Sequence, residues 1–251
     1  MEAQRQQGHG LRFDWGLAGA TAIARRADVA VVVDVLSFTT TLTVAVDAGV
    51  AVLPFRWDDA RAVEHARTRD AVLAVGRSRA RPGEISLSPA TLRRPRLPER
   101  LVLPSPNGST IAQRLSEGRG SCVGASLRNA EAVATWIADR HDPARTTVAV
   151  VAAGEQWPDG GLRPAVEDAW GAGAVIDHLA RAGWDEVSPE AVSARAAWRA
   201  VADDVGNSLL ACVSGQELVR AGFRGDVDIA AEAGTSRCVP VLQGDVFVDG
   251  A

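Results

Sequence analysis

The sequence predicts an α/β fold of three layers, with helices on both faces of a mostly parallel or mixed sheet. Two observations carry that expectation. Short all-apolar runs such as Val29 to Val33 suit strands covered on both faces. These runs alternate along the chain with stretches of helical period, the pattern of βαβ units. At 251 residues, 47% of them hydrophobic, the chain can bury a full core. Its mean hydropathy is +0.01, the value of a globular chain.

The elements follow in order. Residues 1–10, MEAQRQQGHG, are polar and read as a disordered tail; residues 11–251 read as a single domain. Residues 29–36 read as a strand. Ser37 caps a helix over 38–48, and Gly49 closes it. Residues 50–55 read as the next strand, which a right-handed crossover would set beside the first as a parallel pair. A helix over 58–69 and a strand over 71–75 come next. The Pro/Arg-rich stretch 77–100 reads as a large loop over the site. Strands are expected at 101–104, 121–124 and 146–153, with helices at 109–116, 129–139 and 165–182. Two more helices, 189–203 and 209–220, and short strands at 227–230 and 238–242 complete the reading.

Composition narrows the chemistry. Net charge is −4 and the pI about 5.6, which argues against a nucleic-acid surface. No window holds the ~18 apolar residues of a membrane helix, and no signal-peptide core opens the chain. The three cysteines make neither a disulfide framework nor a zinc knuckle, so the chain reads as cytoplasmic. All 27 basic residues are arginine. Without lysine there is no Schiff base to pyridoxal phosphate, no Walker A lysine and no kinase lysine. The four histidines, His9, His65, His141 and His178, lack metal-ligand spacing.

Ligands of open α/β sheets sit beyond the carboxyl ends of strands. Four strand ends here carry polar residues: Asp34 before Ser37 to Thr41, the run Ser105 to Thr110, the run Gly124 to Asn129, and Ala153-Gly154-Glu155. Several lead into helix N-termini, which favour anions. Glu167 and Asp168 open an apolar, small-residue helix. With Asp34 they are candidates to hold Mg²⁺, a hard cation that takes oxygen ligands and can orient a water against a phosphate. Asn107, Ser109 and Asn129 are candidates to bind the anion. The arginines of the long loop (77, 79, 81, 93, 94, 96 and 100) read either as a solvated loop or as holding one or two residues that reach an anionic substrate. A competing motif is Cys122-x₅-Arg128, the spacing of cysteine-dependent phosphatases, although Cys122 sits within an apolar strand. Cys212 and Cys238 read as small buried hydrophobes.

These segments, in this order, resemble the 2-phosphosulfolactate phosphatase family from about residue 29 onward. The matching motifs are D-V-L-x-x-T-T from Asp34 to Thr40, N-G-[ST] at Asn107, Gly108 and Ser109, and G-x-x-x-x-N from Gly124 to Asn129. The A-G at Ala153, E-D-x-x-x-A-G from Glu167, S-G-x-E-L from Ser214 and D-V-D-I from Asp226 complete the set. The resemblance implies a cytoplasmic α/β enzyme that uses Mg²⁺ to hydrolyse a phosphate ester on a small sulfonated hydroxy acid. In some organisms that step belongs to coenzyme M synthesis. It also implies a homodimer, and it singles out Thr39 and Thr40 as substrate contacts beside Asn107, Gly108, Ser109 and Asn129. Asp34, Glu167 and Asp168 take the catalytic and metal roles. The chain departs from the family pattern at Ser37, where an arginine is usual, at Arg77-Ser78 in place of Glu-Arg, and at Leu87 in place of Asn. Cysteines usual in the family are Ala152 and Gly171 here. The departures leave the substrate open. Two alternatives stand beside the Mg²⁺ phosphatase: a scaffold with little or no activity that binds an anionic metabolite, and a cysteine phosphatase built on Cys122 and Arg128.

Overall fold

The computed structural model describes residues 3–57 and 59–251. Its centre is a nine-stranded mixed sheet. On one side four strands run parallel in the order β1 (Leu11–Trp15), β7 (Val148–Ala152), β2 (Val29–Val33) and β6 (Ser121–Ala125). On the other side β3 (Ala51–Phe55), β5 (Arg100–Pro104) and β4 (Val72–Leu73) form a second parallel set. An antiparallel hairpin, β10 (Pro240–Gln243) and β11 (Val246–Asp249), joins the two. It meets β6 where Val241 faces Val123, and β3 where Phe247 faces Val52.

The β2 run Val-Ala-Val-Val-Val is buried at every position. Branched side chains suit the pleat, and alternate ones point to opposite faces. Val29, Val31 and Val33 enter a core with α5 (Ala130–Arg140), α6 (Val166–Arg181) and α7 (Pro189–Arg199). Ala30 and Val32 enter a second core with α1 (Gly16–Ile23), α2 (Phe38–Asp47) and α4 (Gly108–Ser116). The expected three layers are therefore present, with α3 (Ala60–Thr68) over β3 and β5. Asp59 caps α3 by accepting from the Arg61 N–H. The expected start of that helix, Asp58, lies outside the described residues. Gly49 closes α2 with φ at +79°, a conformation that favours glycine.

The structure corrects four expectations. β2 and β3 are not neighbours, because β6 and the β10–β11 hairpin lie between them. Local reading could not foresee a hairpin donated from two hundred residues away. Residues 227–230 are not a strand but part of α10 (Arg224–Ala230). Asp226, Val227, Ile229 and Ala230 are buried there at helical spacing, a distinction too short for periodicity to make. The helix expected over 209–220 is two, α8 (Val205–Ala211) and α9 (Val213–Arg220). Cys212 between them is extended, and its Sγ accepts from the Gly215 N–H at 3.3 Å to cap α9. The strand β1 and helix α1 had no counterpart in the sequence reading. Residues 3–10, expected as a tail, carry a 3₁₀ turn at Ala3–Arg5. The buried Gln6 side chain bonds both backbone groups of Phe13, at 2.7 and 3.1 Å. A small hairpin, β8 (Glu155–Gln156) with β9 (Leu162–Arg163), stands apart from the main sheet after β7.

Candidate active site

Asp34 stands one residue beyond β2, where the turn into α2 begins. Its carboxylate is buried and held by backbone donors from two segments. The Phe38 N–H donates to Oδ1 at 3.0 Å, and the Gly108 N–H donates to Oδ2 at 3.1 Å. The second contact brings the loop after β5 onto the loop after β2, so two of the four polar strand ends meet. Gly108 is required by closeness: a Cβ there would lie 2.6 Å from Asp34 Oδ2 and 2.4 Å from Phe38 Cδ1. Burial pushes the Asp34 carboxyl up to about 6, against the pull of the Phe38 and Gly108 N–H groups and the charge of Arg77.

The first turn of α6 brings in the other acids. Asp168 receives the Val35 N–H on Oδ1 at 2.7 Å and the Gly154 N–H on Oδ2 at 2.8 Å. It thus ties the loops after β2 and β7 together. Burial raises its carboxyl well above the usual range, and the charges of Asp34 and Glu167 add to this. Glu167 is buried beside it, close to the Cys212 thiol and to Glu155. Glu155, at the foot of β8, accepts from Asn107 Nδ2 at 3.1 Å. Burial first, then Asp34 and Glu167, push its carboxyl up to about 7. Four carboxylates from two strand ends and one helix start therefore share one buried region. Among the described residues, no three His, Cys, Asp or Glu side chains already form a cation cage.

The hydroxyls are spent locally. Thr39 Oγ1 accepts from the Asp34 N–H at 2.9 Å and donates to the Asp34 carbonyl at 2.8 Å. Thr40 Oγ1 donates to the Val35 carbonyl at 2.7 Å. Ser109 Oγ donates to the Leu103 carbonyl at 2.9 Å. Asn129 is fully buried in the turn after β6, accepting from the Ser126 N–H at 2.8 Å and donating to the Gly124 and Cys238 carbonyls at 3.3 and 3.1 Å. These four hold the loops in shape. Asn107 and Gly108 are the anion-binding candidates that the structure places against the acids. Asn107 also accepts from Gln156 Nε2 at 3.1 Å.

The cysteine motif comes apart. Cys122 is buried in β6 among apolar side chains, and burial pushes its thiol up to about 12, so no thiolate forms near neutrality. Arg128 is buried too and pairs with Asp47 at 3.3 Å and with Glu232. Glu155 and Arg77, marked in the sequence only as part of a polar strand end and of an arginine-rich loop, lie close to these acids. Glu155 follows a strand end, the same feature that singled out Asp34. Arg77, one of seven arginines in its loop, had no local mark to separate it from the others.

A buried acidic site at converging strand ends of an α/β sheet, with backbone N–H groups fixing the carboxylates, is the architecture of a small-molecule enzyme. The family model described as 2-phosphosulpholactate phosphatase matches residues 20–245. Similar proteins include one of Deinococcus radiodurans, 33% identical over 231 residues, covering 89% of this chain and 92% of the relative. Another, of Thermus thermophilus, is 30% identical over 224 residues, covering 87% and 90%. Both carry the name "Probable 2-phosphosulfolactate phosphatase". The chain belongs to the 2-phosphosulfolactate phosphatase family, a family of phosphoric-monoester hydrolases. Among the described residues no helix is long and apolar enough to cross a membrane.

Proposed function

We propose that this protein hydrolyses the phosphate monoester of a small anionic hydroxy acid, 2-phosphosulfolactate or a close analogue, with Mg²⁺. The observation that carries the reading is the clamped Asp34 carboxylate, bound by the Phe38 and Gly108 N–H groups beside Glu155, Glu167 and Asp168. The donors are carboxylate oxygens, the kind a hard cation takes, although no three of the described acids are placed to hold one together. They are an excess of buried carboxylates that raise one another's protonation, and a divalent charge would offset that repulsion. Asp34, Glu167 and Asp168 would hold the ion, which usually takes only one or two carboxylates and keeps several waters. When bound it would neutralise phosphate charge and lower the pKa of a water.

The chain's own groups do the rest. The backbone bonds to Asp34 and Asp168 hold both carboxylates without reorganisation. Asn107 offers a side-chain amide at the mouth of the site. Glu155, half-protonated near pH 7, is suited to donate a proton to the leaving alkoxide oxygen. The resemblance adds a cytoplasmic homodimer and, in organisms that make coenzyme M, a step toward it. The test is phosphate release from 2-phosphosulfolactate by wild type and Asp34→Asn, each in Mg²⁺ and in EDTA. Release should need Mg²⁺ and fall at least about 10²-fold in the variant while its circular dichroism stays native. Normal turnover in Asp34→Asn would remove Asp34 from the mechanism, and turnover in EDTA would remove the metal.

A further inference from the structure

Arg77 lies just beyond β4, at the start of the loop that runs back along α2. Thr41 Oγ1 fastens that loop to α2 by donating to the Leu87 carbonyl at 2.7 Å. Arg77 Nε donates to Asp226 Oδ2 at 2.8 Å, from the first turn of α10. The other oxygen of Asp226 accepts from Ser88 Oγ. Asp226 is almost wholly buried, with one oxygen on Arg77 and the other on Ser88. Arg77 Nη2 is out of water and without a partner. A buried donor left unpaired is costly, and five N–H groups in a rigid fork are suited to an oxyanion. A second buried atom without a partner, Ser37 Oγ, lies at the start of α2, three residues from Asp34.

The charge balance of the site points the same way. Asp34, Glu155, Glu167 and Asp168 would repel any substrate that carries negative groups beyond its phosphate. Two cations act on these acids, Arg77 on Asp34 and Arg163 on Glu155. Arg163 is paired with Glu217 at 3.1 Å. Of the two, Arg77, bonded to Asp226 through Nε, is the one with a buried donor left unpaired.

We infer that Arg77 is the specificity residue of this site, receiving a second anionic oxygen group of the substrate, carboxylate or sulfonate, while the acids and their metal handle the phosphate. Asp226 and Ser88 are its positioning residues. The inference rests on the proposed hydrolase reading and deepens it.

The test compares three esters of the same secondary alcohol skeleton: isopropyl phosphate with no further charge, 2-phospholactate with a carboxylate, and 2-phosphosulfolactate with a carboxylate and a sulfonate. Arg77→Gln leaves Asp226 buried and unpaired, so Arg77→Gln/Asp226→Asn is measured beside it to keep the charge even. In both, kcat/KM for the acid-bearing esters should fall at least tenfold more than for isopropyl phosphate. A loss confined to 2-phosphosulfolactate assigns the sulfonate; a loss shared by 2-phospholactate assigns the carboxylate. Equal loss on all three esters would overturn the inference, as would no loss in a folded variant. Calorimetric titration with 3-sulfolactate and with inorganic phosphate reads binding without turnover. Arg77→Gln should weaken 3-sulfolactate at least tenfold more than phosphate. Wild type that binds 3-sulfolactate through Arg77 but releases no phosphate from any ester would sustain this inference and defeat the hydrolase reading.

Discussion

Replacing Glu155 by Gln separates what the site does from what it costs. The Glu155 carboxyl is pushed from 4.5 to about 7 by burial and by Asp34 and Glu167. A folded-state pKa above the unfolded one means the folded protein binds the proton more tightly. Stability is therefore complete below about pH 4.5 and is lost as pH rises toward 7. The full shift corresponds to about 3 kcal/mol, and partial solvent access brings this to about 2–3 kcal/mol. Gln keeps the shape and can still accept from Asn107 Nδ2, the one side-chain bond Glu155 makes. In EDTA at pH 8.5, Glu155→Gln should raise the melting temperature by roughly 5–10 °C, given about 2–4 °C per kcal/mol for a chain of this size. At pH 4 the gain should vanish. Calorimetric melting from pH 4 to 8.5 is the assay. The same variant should lose activity about 10²-fold and lose the alkaline fall in kcat/KM that proton donation requires. An equal gain at both pH values, or none at pH 8.5, would refute the reasoning.

Three further outcomes are expected. Gly108→Ala places a methyl 2.4 Å from Phe38 Cδ1 and 2.6 Å from Asp34 Oδ2, so it should cost about 1–3 kcal/mol in urea unfolding and more than tenfold in kcat. Cys122→Ala removes a buried thiol with no thiolate character; it should keep wild-type turnover and lose about 1 kcal/mol, and alkylating reagents at pH 7 should leave the wild type active. Asp177 is buried in α6 and accepts from Arg195 and Arg199 Nε at 2.7 Å each, with Arg181 paired as well. Because these arginines keep contact with water, Asp177→Asn should cost about 2–3 kcal/mol, seen as a lower urea midpoint with unchanged KM.

The sequence exposed what is local in this molecule. The strand from Val29, the Phe38 helix and the Gly49 stop follow from an apolar run, helical period and a glycine; the strand ends at Val33, three residues short of its expected bound, and Ser37 makes no side-chain cap bond. Asp34, Glu167 and Asp168 were legible as acids at a strand end and a helix start. That they meet was expected, but the bonds that fix them were not legible, because Gly108 to Asp34 and Val35 to Asp168 span 74 and 133 residues. The role of the threonines cannot be read from sequence, for a physical reason. A hydroxyl on a strand-to-helix turn serves a ligand or its own backbone equally well in sequence, and Thr39 and Thr40 both bond backbone carbonyls. Arg77 was hidden by numbers, since only the fold shows which arginine of the loop finds Asp226.

The β10–β11 hairpin has a consequence for synthesis. The strands that carry Asp34 and Gly108 belong to two parallel sets with this hairpin between them. While residues 240–249 are still inside the ribosome, the emerging chain presents two open sheet edges, β6 and β3, with nothing between them. Unpaired edges recruit other strands, so a chain lacking this hairpin is exposed to misassembly and to chaperones. The end of the hairpin is fastened by Trp136 Nε1 donating to the Gly250 carbonyl at 2.8 Å and by the Gly250 N–H donating to the Val239 carbonyl at 2.9 Å. The two parallel sets of strands are thus made first, and the hairpin that joins them is made after both.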